Sequence, residues 1–341
     1  MNALVWEAPR TVTMREQLVP TPQSEEALIK VAFAGICGSE LGGYLGHNAL
    51  RVPPLVMGHE FSGTIVELGD SAQQFNSSLE VNQAVTVNPL DYDEDCEFVA
   101  RGLHHLSPTR KLLGAHRPGA YADYVSVPAK SISPLPEGLS LREGSLTEPV
   151  ACGVRIGELA GDVEGKECLI IGAGPIGLLA LQTLLLKGAN RIFIADLDAE
   201  RLAMGAALGG EALDPTAVNV VDTIKEETGG QGVPLTIDAV GTGGTRTQCV
   251  SATCATGTLI LSGLHEEVSE IPAADIIRRE IKVQGSFAYS PTNFAQAIDL
   301  LAAKKIRLDP WIVEAPLAEG GKWFDRLIDA PGNVSKVLLV P

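Results

Sequence analysis

Basic residues are scarce in this chain: 26 lysines and arginines stand against 42 aspartates and glutamates, a formal net charge of −16 over 341 residues. Nucleic-acid binding needs clustered cations to neutralise phosphates, so that class of function falls away. Cysteine is sparse as well. The six, at positions 37, 96, 152, 168, 249 and 254, lack the spacing of a disulfide framework and are expected as reduced thiols, with a metal ligand among them at most. No apolar run is long enough to cross a bilayer; IGLLALQTLLL (176–186), among the longest, is short and well bounded. The N-terminal MNALVWEAPRTVTMRE has no basic segment ahead of an apolar one, which argues against a secretory signal. Repeats and low-complexity tracts are missing too. A soluble cytoplasmic protein with neither membrane nor nucleic-acid partners is expected. Apolar content, by contrast, is ample: 45% hydrophobic residues and a mean hydropathy of +0.16 suffice for buried cores. The length suits two domains.

Two textures divide the chain. ALIKVAFAGIC (27–37), EFSGTIVELG (60–69), AVTV (84–87) and AYADYVSVP (120–128) read as strands punctuated by Gly, Pro and Asn, with no long helical pattern between them. That pattern predicts an antiparallel barrel or sandwich. SLREGSLTEPVACGVRIGELA (140–160) has helical spacing, and its proline is expected to end one helix and open the next. From 166 to 288 strand and helix alternate: ECLIIGAG, PIGLLALQTLLLKGA, RIFIAD, AERLAMGAALGG, then the strands PLTIDAV, GTLILSG and KVQGSF. Alternation of this kind predicts an α/β domain with a doubly wound parallel sheet. The tail adds a helix, NFAQAIDLLAAKK, and a closing strand, SKVLLVP, that need not belong to that sheet.

GAGPIG (172–177) fits G-x-G-x-x-G, with Gly172, Gly174 and Gly177 in the three glycine places and Pro175 and Ile176 opening the helix. The six letters alone are a weak signal. Here they follow a strand, start a helix, and are followed by Asp196 at the end of the next strand, which is the context of a dinucleotide site. Gly172 permits the turn, Gly174 lets backbone amides approach a pyrophosphate, and Gly177 lets helix and strand pack closely. Asp196 would accept from the adenosine ribose and repel a 2′-phosphate, which favours NAD over NADP. Arg201, five residues on, could tolerate that phosphate.

Three stretches before the nucleotide segment, or at its border, hold metal-competent side chains: GICGSE with Cys37, GHE with His59 and Glu60, and LTEPVAC with Glu148 and Cys152. A lone cysteine or histidine in such places is more often a packing residue. Together they supply the thiolate, imidazole and carboxylate of a catalytic zinc site with an open position.

GICGSE, GHEFSGTIVELG, TEP, GAGPIG and the closing KVLLVP stand in the order and spacing of the zinc-dependent medium-chain alcohol dehydrogenases, which the chain resembles from end to end. Glu148–Pro149 makes it most similar to the polyol and threonine dehydrogenase branch. The resemblance implies a GroES-like β-rich catalytic domain from 1–150 and 289–341, and a Rossmann domain over 151–288. It implies one catalytic zinc on Cys37 and His59, with Glu60 a ligand or an exchangeable one and Glu148 the fourth, direct or through water. Cys152 is the rival for that place and is expected to pack instead. Ser39 would take the substrate proton. Relatives often carry a histidine five residues after the cysteine as the outer end of a proton relay; here Gly42 stands there, leaving His47 or water. Glu40 replaces a usual aspartate with no evident consequence. The activity implied is hydride transfer between a secondary alcohol, such as a polyol or sugar, and NAD, in a homodimer or homotetramer. The alternatives are a zinc-free quinone or enoyl reductase of the same fold, and a catalytically silent NAD-binding protein.

In the same resemblance Leu264 or His265 would touch the cofactor; Phe287, where the chain leaves the nucleotide segment, would border substrate or pack at a hinge. HEEVSE (265–270), His104 and His105 are expected to be solvated, while His116 shapes a loop. Many relatives hold a second, structural zinc on four cysteines at the positions that align with Asp93, Cys96, Val99 and Ser107. Three of the four are missing here, so no structural zinc is expected, and the lobe should be held by packing of Phe98, Leu103 and Leu106.

Overall fold

The computed structural model describes residues 1–332 and 334–341 and divides into two compact units. The first holds Met1–Glu148, Ser290–Lys304 and Leu308–Pro341; the second holds Pro149–Tyr289 with Lys305–Arg307. Among the described residues, no helix is long and apolar enough to cross a membrane.

The first unit is organised around the strand Glu26–Gly35, where β-branched and apolar residues cluster. It pairs antiparallel with Glu60–Leu68, with Tyr124–Pro128 and, at its last two residues, with Lys336–Val340. The strand Ile312–Pro316 then runs parallel to Lys336–Val340, so the closing strand joins the β-rich unit and not the parallel sheet. Ile29, Val31, Ile65, Val85, Val125 and Trp6 fill the interior. Each buried side chain of this size contributes about 1.5–3 kcal/mol relative to exposure. The strand register sets Gly35 opposite Glu60. A Cβ at 35 would stand 2.3 Å from Glu60 Oε2, so only glycine lets that carboxylate cross the neighbouring strand.

In the second unit six parallel strands form one sheet in the order Glu211–Leu213, Arg191–Ala195, Glu167–Ile171, Val233–Asp238, Thr253–Leu261, Lys282–Gly285. Numbered along the chain this is 3-2-1-4-5-6, the doubly wound order that reverses beside the fingerprint strand. The central strands Glu167–Ile171 and Arg191–Ala195 are near-continuous apolar runs, as burial on both faces demands. Strand Glu211–Leu213 has no sequence signal: it is short, largely exposed and at the sheet edge.

Three expectations need correction. Pro149 does not separate helices. The break falls at Ser145–Leu146, and Pro149 is the third residue of the helix Thr147–Leu159, where a first-turn residue needs no amide hydrogen. Nor is the 93–107 lobe held mainly by apolar packing. Leu106 is exposed, and the helix Glu97–Ala100 buries nothing. Polar ties take over: Lys130 Nζ reaches Asp91 at 2.9 Å, Glu94 at 3.2 Å and the Tyr92 carbonyl at 3.3 Å, while Ser107 and Thr109 share a 2.9 Å hydroxyl bond. His105, expected in solvent, is buried because the 3-10 turn His104–Leu106 folds its ring inward and leaves Leu106 outside.

Candidate functional site

Cys37 ends the segment that follows strand Glu26–Gly35 and starts the helix Gly38–Tyr44. His59 and Glu60 open the partner strand, where pairing sets Glu60 beside Gly35. Residues 22 positions apart in the chain thus converge: one ligand atom from each of Cys37, His59 and Glu60 lies within 4.8 Å of the others. Among the described residues this is the one group of three or more such side chains close enough to share a metal. His59 and Glu60 are buried and Cys37 is half-buried.

Glu40 holds this group in place. Its carboxylate is fully buried and accepts from the Cys37 amide at 3.1 Å, the Gly58 amide at 2.7 Å and the Tyr121 hydroxyl, and it pairs with His59 Nδ1 at 3.0 Å. Burial would push its carboxyl up, but His59 foremost, then Arg51 and Tyr121, hold it down at about 2. With Nδ1 on Glu40, the imidazole has Nε2 for a metal, the usual second-partner arrangement of metal-binding histidines. Burial alone would depress the His59 pKa; the charges of Glu40 and Cys37 outweigh it and raise it well above 6.5. The field at this site therefore attracts cations. Lys336, also buried, donates to Glu60 Oε1 at 2.8 Å, Glu60 Oε2 at 2.6 Å and the Ile36 carbonyl at 3.0 Å. Burial lowers its pKa, and Glu60, Cys37 and Glu148 together raise it above 10.5.

The donor set fits a divalent metal. Sulfur, imidazole and carboxylate from Cys37, His59 and Glu60 converge, the ligand types that zinc takes, with Glu40 behind the imidazole as its outer partner. Glu148 lies on the first turn of the helix Thr147–Leu159, close enough to Lys336 to act on it electrostatically, and outside the group of three. Cys152, one turn further along that helix, is half-buried and also outside it. Ser39 Oγ donates to Cys37 Sγ at 3.4 Å.

The fingerprint residues stand as a phosphate turn requires. Gly172 has φ +104°, a conformation closed to most side chains. A Cβ on Gly177 would lie 1.8 Å from the Gly172 carbonyl, so the helix meets its strand only through glycine. Gly174 faces open space and caps the helix Pro175–Leu186, with Pro175 in its first turn and Ile176 half-buried. Asp196, just past strand Arg191–Ala195, accepts from the Ala173 amide at 2.7 Å and the Asp198 amide at 2.9 Å, and each carboxylate oxygen retains a lone pair for a ribose hydroxyl. Arg201 sits in the helix Ala199–Ala207, its Nε buried without a partner among the described residues. Leu264 is 79% exposed in the loop after strand Thr253–Leu261.

Sequence reasoning missed Glu40, Tyr121, Lys336 and Arg51. Glu40 had a signal, since an acid three residues into a helix can cap its start. The others come from distant loops and strands and had none. His116 does shape its loop, through Nδ1 accepting from the Leu112 amide at 3.0 Å.

Two family models match parts of the chain. Residues 23–137 match the alcohol dehydrogenase GroES-like domain, and residues 175–303 match the zinc-binding dehydrogenase domain. The chain is 33% identical to D-arabitol-phosphate dehydrogenase of Enterococcus avium, over 94% of its own length and 91% of the relative's. It is 31% identical to sorbitol dehydrogenase of Halalkalibacterium halodurans, over 96% and 95%. A crystal structure described as a zinc-binding dehydrogenase of Sinorhizobium meliloti 1021, bound to NADP, superposes with a TM-score of 0.92 at 30% identity, covering 100% of this chain and 99% of that one.

Proposed function

We propose, from the premise that this chain belongs to the zinc-dependent medium-chain alcohol dehydrogenases of the polyol branch, that it oxidises a polyol or sugar-derived secondary alcohol with one catalytic zinc and NAD. As a member it is an oxidoreductase that transfers hydride between secondary alcohols and a nicotinamide dinucleotide. The observation that carries the finer reading is the convergence of Cys37, His59 and Glu60 in a chain that also bears the dinucleotide turn.

Cys37 and His59 would hold the zinc, with Glu60 or Glu148 completing the protein ligands. Bound there, zinc supplies Lewis acidity that makes an alcohol hydroxyl more acidic, and the nicotinamide supplies the hydride acceptor. The chain's own part is position and charge. Glu40 orients the imidazole and the Cys37 backbone. Lys336 holds Glu60 in place by donating to both of its carboxylate oxygens. Ser39, exposed to solvent, accepts the alcohol proton on its oxygen and releases its own hydroxyl proton to water, as the carbinol hydrogen leaves with its electron pair for the nicotinamide. Gly172, Gly174 and Gly177, with Pro175 and Ile176, give the pyrophosphate its turn and helix start, Asp196 takes the ribose, and Leu264 is proposed to border the cofactor. The lobe's single cysteine supports one zinc per chain.

NAD is preferred because a like charge set against Asp196 costs several kcal/mol. The unpartnered Arg201 Nε and the relative solved with NADP favour the second reading, in which NADP is used. Among the described residues, strand Lys282–Gly285 has a partner on one side only, and Val283 and nearby Ile277 are exposed. We propose that a second copy covers this edge, as open ladders favour.

Metal analysis of the purified protein is expected to read one zinc per chain. NAD(P)H formation on a panel of polyols, sugar alcohols and their phosphates should favour NAD by about tenfold or more. Light scattering on the same sample should give a mass of at least a dimer. A metal-free preparation with full activity would remove the zinc reading, equal rates with NADP the cofactor reading, and a monomer mass the edge reading.

A further inference from the structure

We propose that Arg51 is the positioning residue for Ser39: its guanidinium fork sets which lone pair of that hydroxyl remains to receive a substrate proton. The inference rests on the role proposed for Ser39 in hydride transfer. Arg51 lies in the loop before the GHE stretch and is only 4% exposed, which is rare for arginine. Its Nη1 donates to the Ser39 carbonyl at 3.2 Å and its Nη2 to Ser39 Oγ at 3.4 Å. One rigid fork therefore holds both the backbone and the side chain of a single residue, which a lysine ammonium cannot do with the same geometry.

The fold makes room for this contact. A Cβ on Gly43 would stand 2.6 Å from Arg51 Cδ, so the helix that carries Ser39 on its first turn lies directly against the arginine stem. Arg51 Nε has no partner among the described residues. The guanidinium is thus placed by its two contacts to Ser39, not by a full set of bonds of its own.

A serine hydroxyl has one hydrogen and two lone pairs. The hydrogen of Ser39 goes to Cys37 Sγ at 3.4 Å, and Arg51 occupies one lone pair. One lone pair is left, and its direction is fixed by the other two contacts. Arginine has no acceptor atom and stays protonated, so no proton can pass from Ser39 into Arg51; when the free lone pair takes the substrate proton, the hydroxyl's own proton leaves to water, to which Ser39 is exposed. His47, the sequence candidate for a relay, is exposed and meets the helix through its backbone amide, 2.9 Å from the Gly42 carbonyl. Arg51 also lowers the pKa of Glu40, so charge alone is the competing account of its burial.

Arg51→Met and Arg51→Lys, each made alone and in a Ser39→Ala background, separate the two accounts. In crystals of metal-free Arg51→Met, Ser39 Oγ is expected to leave Cys37 Sγ. In the metal-loaded enzyme kcat should fall about 10²-fold, the size of a small misplacement, with KM for the dinucleotide unchanged. Lysine, which keeps the charge and loses the fork, should recover only part of that loss. Adding either change to Ser39→Ala should cost less than about 2-fold, because the two residues act as one unit. The inference is overturned if Ser39 stays on Cys37 in the metal-free Arg51→Met protein. Full rescue by lysine, or effects that multiply across the two backgrounds, would overturn it equally. A wild type that forms no NAD(P)H would instead remove the proposed reaction, and the metal-free structures would still decide the role of Arg51.

Discussion

Two cysteines of the first unit stand at the start of short helices, Cys37 before Gly38–Tyr44 and Cys96 before Glu97–Ala100. Their surroundings differ in where the partners come from. Cys37 is met by His59 and Glu60 from another strand, behind which lie Glu40 of its own helix and Arg51, Tyr121 and Lys336 from three further places in the chain. Cys96 is met by Ser107 and by its own helix, whose contacts lower the thiol pKa, with Ser107 the largest influence. A thiol becomes part of a metal centre when strand pairing delivers other ligands to it. Where it does not, local hydrogen bonds are all it has. The lobe around Cys96 is instead tied by an organic cation, the Lys130 ammonium, between Asp91 and Glu94 and 5.2 Å from the Tyr92 ring centre.

A pair of matched substitutions tests this contrast most severely. Cys37→Ser should lose the bound metal and at least about 100-fold in activity, beyond the range seen when only an outer partner of a ligand is changed. Cys96→Ser should keep both within about 2-fold, since surface changes away from a site rarely matter more. Metal content by mass spectrometry and steady-state rates check the pair, and a zinc equivalent lost from Cys96→Ser would erase the contrast.

Glu40→Gln comes next. It keeps the size of the side chain and removes the charge that orients His59, so metal affinity should fall about 10–100-fold. Titration against a competing chelator measures it; an unchanged affinity would mean that Glu40 only fills space.

The smallest effect belongs to the lobe. Lys130→Met should leave metal content intact and lower stability by about 1 kcal/mol, a figure kept small because the pair is partly exposed. That corresponds to a Tm lowered by roughly 2–4 °C or less in a chain of this size. Burial would lower the Lys130 pKa, and Asp91 and Glu94 outweigh it and raise it above 10.5. A raised folded-state pKa means the contribution is complete below 10.5 and is lost as pH rises through the folded value. Scanning calorimetry of wild type and Lys130→Met should therefore show a constant gap up to about pH 10 that closes above it. A gap that persists undiminished at still higher pH would show that packing, not the ammonium, ties the lobe.

How far the sequence could be read depended on whether each signal was local. Five of the six strands were legible and Glu211–Leu213 was not, because buried central strands read as apolar runs while this short exposed edge strand carries no pattern; the order of the strands came only from the structure. The break before helix Thr147–Leu159 was misplaced onto Pro149, since proline in a first turn is as comfortable as proline at a boundary. At the site, Cys37, His59 and Glu60 could be named from their stretches. Glu40 was set aside as a small change from aspartate, though its carboxylate bonds four groups around the centre.

By itself the sequence determined the two textures, the fingerprint turn and the residue types able to hold a metal, because each is written in neighbouring positions or in short periods. Only the tertiary structure decided which of those residues meet and what surrounds them. Pairing of Gly35 with Glu60 brings the candidate ligands together, and Arg51, Tyr121 and Lys336 reach them from elsewhere in the chain. The buried charges of this centre are stable only as a mutually compensating set. That compensation is a property of distances between strands and loops, and no local stretch of the chain contains it.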